Sequence, residues 1–159
     1  MTAQIETGKI YWGGYGRSAE WKESRRKGKA VRHNETDVLQ AHGISKPEDF
    51  AYFTDCTNKA VYGCSAELAK MTRGVSDRGS LRDCSTEIEL LLIALHENAV
   101  KDAIEKARAY GREQIEAVYE KVGEALSQIR LSLPSNLLQI EAQPLRFSTP
   151  LGGIFYCPL

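Results

Sequence analysis

The sequence has little of what a metal-dependent or nucleophilic enzyme leaves as a trace. Its three histidines, His33, His42 and His96, lie far apart, and none stands in an HExxH or GxSxG pattern. There is no Walker loop. The four cysteines, at 56, 64, 84 and 157, form no CxxC pair and have no histidine at ligand spacing, which argues against zinc and reads as reduced thiols in a cytoplasmic compartment. The sequence therefore predicts no cofactor, no metal and no catalytic residue. Long apolar runs are absent too. The longest, residues 90–95, is closed off by Glu89 on one side and by His96 and Glu97 on the other. A membrane span needs about 18 apolar residues, so this stretch reads as a buried helix segment. Residues 1–9 lack the charged head and apolar stretch of a signal peptide, so neither export nor a membrane partner is expected. Net charge is missing as well: 21 basic side chains balance 21 acidic ones. A molecule without a long-range field recruits a charged partner only through a local patch.

What is present is the composition of one globular domain, with 42% hydrophobic and 26% charged residues over 159 positions. The fold class is mainly α. Residues 1–33 form a Gly/aromatic and basic segment, 34–133 a helical domain, and 134–159 a Pro-punctuated tail with two short strands around a turn at 149–153. Ser18 is placed to cap a short helix or arm reaching Gly28, and Asn34 a second helix through Gln40 that stops at Gly43. Ser45, Pro47 and Glu48 signal a helix from Pro47 to Tyr62 that ends at Gly63, with a polar middle at Thr54, Asp55, Thr57 and Asn58. Ser65 opens a shorter helix over Ala66–Thr72, closed by Gly74. Thr86 and Glu89 make a capping box for a long acidic amphipathic region over about 86–130, with a bend or break near Gly111. In its second part Ile115, Val118, Val122, Ala125 and Ile129 follow a 3-4-3-4 spacing, the pattern of a core seam or of a homodimer seam.

Two groups of residues could carry function. Glu87, Glu89 and Glu97 could supply paired carboxylates, but on a helix of this composition they read as a solvated face. The basic segment is more informative. Arg17, Lys22, Arg25, Arg26, Lys27, Lys29 and Arg32 face only Glu20 and Glu23 in sequence, with Trp12, Tyr15 and Trp21 nearby. Such a set can neutralise phosphates and stack on bases. It can equally pair with the acidic region, which holds nine acidic and five basic residues between positions 87 and 124.

The stretch Thr54-Asp55-Cys56-Thr57-Asn58-Lys59-Ala60-Val61-Tyr62-Gly63, then Ser65-Ala66-Glu67-Leu68, then Ser80-Leu81-Arg82-Asp83 before an acidic helix, resembles a known pattern. It is similar to the helical C-terminal region of prophage antirepressor-like proteins, the BRO-type and DNA-damage-inducible-D-type group. The resemblance spans about residues 50–110. Members of that group usually carry a BRO or KilA-type DNA-binding domain ahead of this region, where this chain has its Gly/aromatic and basic segment. The resemblance implies a stand-alone variant of phage or prophage origin acting in the host cytoplasm. The resulting expectation is a non-enzymatic regulatory protein that binds nucleic acid or a host or phage protein complex, for example as an inhibitor of a defence complex. A small oligomeric structural protein and an enzyme with an unrecognised Glu/His site are the alternatives.

Overall fold

In a computed structural model, residues 17–134 are described; Trp12, Tyr15, Cys157 and the two strands expected in the tail lie outside them. The described residues form α1 (Ala19–Ala41), α2 (Pro47–Tyr62), α3 (Ala66–Thr72), a 3-10 turn (Leu81–Cys84), α4 (Glu87–Ala107) and α5 (Gly111–Ser132), with no strand among them. No helix among the described residues is long and apolar enough to cross a membrane.

Several helix ends follow from local chemistry. Ser18 accepts from the Trp21 amide at 3.1 Å and Ser65 from the Leu68 amide at 3.2 Å, each satisfying a donor that the first turn leaves open. Thr86 and Glu89 close the expected capping box at the start of α4. Gly63 ends α2 in the left-handed region at φ 76°, and a Cβ there would stand 2.8 Å from the Arg130 guanidinium. The start of α2 differs from the expectation at Ser45: its N-cap is Lys46, which makes no side-chain cap bond. Pro47, with its preset φ, and Glu48 and Asp49 in the first turn favour the start instead.

The largest departure is α1. The short helix or arm expected to end at Gly28 and the second helix expected to be capped by Asn34 are a single helix of 23 residues, so the boundary placed after residue 33 falls inside it. Packing overrides the local stop signals. Trp21, Gly28, Glu35 and Leu39 are buried along one face, where α1 runs against α4, while Asn34 is exposed in mid-helix. Gly28 is therefore an interior helix residue, and a Cβ built on it meets nothing within 4 Å. Gly28→Ala should raise unfolding stability by about 0.5–1 kcal/mol in urea denaturation, because alanine loses less conformational entropy on entering a helix. A loss of stability would mean that α1 and α4 approach too closely there for a methyl group.

α2 packs along α5, and α4 contacts α1, α2 and α5. The core has two apolar layers. One gathers Ala60, Val61, Tyr62, Leu81, Leu92, Ile93 and Leu126, and the other Leu39, Ile44, Phe53, Val100, Ile104, Ile115 and Tyr119. Thr57 of α2, His96 and Glu97 of α4, and Gly123 of α5 lie between them in sequence on each helix, so a polar layer separates the two. The region expected over 86–130 is broken fully, not bent: Arg108 turns into the left-handed region at φ 51°, and Gly111 restarts the chain at φ 79°. This corner is tied to the end of α1, since the Gly111 amide donates to the His42 carbonyl at 2.8 Å and His42 Nδ1 lies 2.7 Å from the Ala109 carbonyl.

Along α5 the buried residues are Ile115, Tyr119 and Leu126. Val118 and Val122 are half-buried against the core, whereas Ala125 and Ile129 are exposed. The inward line of α5 thus turns away from the 3-4-3-4 spacing. A 3.6-residue helix drifts off a strict 3.5-residue seam. Tyr119 takes the central position, its ring stacked on Phe53 at 4.6 Å.

Candidate binding surface

The start of α1 is fixed to the body by an aromatic anchor. Trp21 is 5% exposed, and its indole Nε1 donates to the Ser85 carbonyl at 2.8 Å. Its ring is thereby spent on the fold and is not offered for base stacking, which corrects the expectation for this residue. Arg17 lies over the ring at 4.9 Å and donates to the Asp83 carbonyl at 3.3 Å.

The seven cations of the basic segment sort by helical phase. Trp21, Arg25, Gly28, Arg32, Glu35 and Leu39 follow a 4-3-4-3-4 spacing and form the inward stripe of α1. Arg25 on that stripe donates from Nε to Asp83 Oδ1 at 2.8 Å. Arg32 lies 3.0 Å from Glu35, 3.5 Å from Glu97, and donates to Thr54 Oγ1. With Arg17, three of the seven therefore hold α1 in place.

Lys22, Arg26 and Lys29, at i, i+4 and i+7, form an outward stripe, and His33 extends it by another turn. Lys22 and Lys29 reach across about 10 Å of helix axis. All three cations are exposed. Arg26 binds Glu23 through Nε at 2.8 Å and Nη2 at 2.7 Å, and Lys27, off to the side of the stripe, shares that carboxylate at 3.6 Å. The Arg26 hydrogen bonds hold the Glu23 carboxyl down at about 2. Lys22 and Lys29 make no ion pair among the described residues. An open groove of about 240 Å³ lies here, lined by Trp21, Lys22, Arg25, Arg26, Lys29 and Asp83.

Behind this surface the acidic residues are not a solvated face. Glu89 and Glu97 are fully buried, and only Glu87 is exposed, accepting from Ser24 at 3.3 Å. Arg73 grips Glu89 in a fork at 2.9 and 2.6 Å while the same carboxylate closes the capping box. Arg82 holds Glu97 Oε1 at 2.6 Å, and Tyr119 donates its hydroxyl to Glu35. Burial and the neighbouring Glu97 push the Glu35 carboxyl up to about 7. His96 is fully buried with no partner at either ring nitrogen, its ring tilted against Tyr119 at 5.8 Å. Burial pushes it down to about 4, so it stays neutral.

Sequence reading missed Asp83, Glu35 and Tyr119 as partners of these groups. The signal available was the 4-3 spacing of Arg25 and Arg32 with Trp21 and Leu39. Cys56, Cys64 and Cys84 are free thiols, all pushed up by burial. No group of three or more His, Cys, Asp or Glu side chains converges to hold a metal ion among the described residues. No protein-family model matches the chain, and no curated protein matches it.

Proposed function

We propose that the chain is a non-enzymatic regulatory binding protein, of the prophage antirepressor-like kind that residues 50–110 resemble, and that it engages nucleic acid through the outward stripe of α1. The observation that carries this reading is the sorting of charge on one helix. Arg25 and Arg32 are paired in charge with Asp83, Glu35 and Glu97, whereas Lys22 and Lys29 stand exposed beside Arg26 without a carboxylate of their own. An exposed line of cations on a neutral molecule is a local patch that phosphates can neutralise. A second reading, docking on a protein complex, draws on Leu91 and Leu95, about half exposed one turn apart on α4.

The test is the triple variant Lys22→Ala, Arg26→Ala, Lys29→Ala. Its unfolding stability should change by less than about 1 kcal/mol, since exposed charges contribute little. Its affinity for an oligonucleotide should fall at least tenfold. Arg25→Ala should behave differently, because it unpairs Asp83 and so costs about 1 kcal/mol or more of stability. A triple variant that binds the oligonucleotide as tightly as the wild type removes the stripe as the contact surface. If the same variant keeps its hold on a protein complex while Leu91→Ser loses it, the second reading takes its place.

A further inference from the structure

Resting on the nucleic-acid reading, we infer that the groove beside the stripe is a seat for a phosphate monoester, so that the protein prefers a nucleic-acid strand with a phosphorylated end over one ending in a hydroxyl. Four cations and one carboxylate line the groove. Arg25 is matched by Asp83, and Arg26 by Glu23, each at 2.8 Å or less. Lys22 and Lys29 are left over, two positive charges at one opening. An internal phosphodiester carries one negative charge. A terminal monoester carries close to two at neutral pH, with three strong acceptor oxygens.

Geometry adds donors to that charge match. The bond from Arg25 Nε to Asp83 fixes the plane of the guanidinium, and its two Nη groups make no hydrogen bond among the described residues. A guanidinium held this way presents a fork that matches phosphate oxygens. Lys22 and Lys29 lie two turns apart with the two arginines between them in the chain, and their flexible stems can close on one anion. The groove offers no open aromatic face on which a base could stack: Trp21 is buried, and its indole N–H is already committed to Ser85. Recognition there falls on the phosphate by charge and donor geometry, with no contribution from stacking.

The experiment measures anisotropy at pH 7.5 with one internally labelled oligonucleotide in three forms, 5′-phosphorylated, 3′-phosphorylated and with both ends as hydroxyls. At least one phosphorylated form should bind about tenfold more tightly than the hydroxyl form. Inorganic phosphate should remove that advantage, and Lys22→Ala with Lys29→Ala should erase it in a protein that melts as the wild type does. Equal, measurable affinity for all three forms overturns the inference and leaves the stripe as a backbone-binding surface. A preference that survives in the double variant overturns it as well. Binding of a phosphoserine peptide with no binding of any oligonucleotide overturns both this inference and the nucleic-acid reading.

Discussion

Arg82→Ala should lower the unfolding free energy by about 3–5 kcal/mol, a large part of the 5–15 kcal/mol typical of a domain. Glu97 has no exposure to water, its Oε1 is held by Arg82 at 2.6 Å, and its Oε2 has no hydrogen-bond partner. Arg32, 3.5 Å from Oε1 and itself bound to Glu35, is a weak substitute. Removing Arg82 thus strands a carboxylate in the interior, and desolvation of that charge, not loss of contact area, sets the size of the effect. Replacing both partners, with Arg82→Met and Glu97→Leu, should recover most of the loss, because a buried pair exchanged for apolar groups of similar volume is close to neutral. Urea denaturation of the single and double variants measures both. A single variant that loses less than about 1 kcal/mol would mean that water reaches Glu97.

The second large effect is in the pH dependence of stability, where His96 and Glu35 act in opposite directions. His96 is lowered from 6.5 to about 4, so its contribution is present above 6.5 and lost as pH falls through 4. Glu35 is raised from 4.5 to about 7, so its contribution is fully present below 4.5 and lost as pH rises through 7. The groups facing Glu35 are Arg32 on α1, Glu97 from α4, Tyr119 from α5 and Arg82 from the 3-10 turn. A tenfold change in proton affinity corresponds to about 1.4 kcal/mol, which links each of the two residues to about 3 kcal/mol of stability. Between pH 4.5 and 6.5 the slopes cancel, and the wild type should show a nearly level melting temperature. Glu35→Gln should expose the His96 slope, with stability rising with pH. His96→Leu should expose the opposite slope. Level profiles in both variants would show that neither group changes its protonation on folding.

The helix ends were the part of the fold most open to sequence reading. Ser65, Thr86 with Glu89, and Gly63 act through backbone groups a few residues away, so their signals are local. The fusion of two expected helices into α1 was hidden because Gly28 and Asn34 are local stop signals overruled by α4, which lies some sixty residues on. The outward stripe of α1 was legible as a charge count and not as a surface. Which cations remain outside depends on Asp83 and Glu97, far from Arg25 and Arg32 in the chain. The same cause hid the polar layer. Glu97 sits between the two apolar layers, and Glu89 is buried in the first turn of α4, only because Arg82 and Arg73 arrive to neutralise the carboxylates.

If the exposed cations of α1 meet phosphates, binding releases counterions and weakens as salt rises. With three contacts on single-stranded nucleic acid, log affinity against log salt concentration should fall with a slope of about −2, at about −0.7 per phosphate neutralised. The measurement is the binding constant of one oligonucleotide at several salt concentrations. A slope near −2 is the result expected for Lys22, Arg26 and Lys29 acting together. A slope near zero, or no binding at low salt, would contradict it.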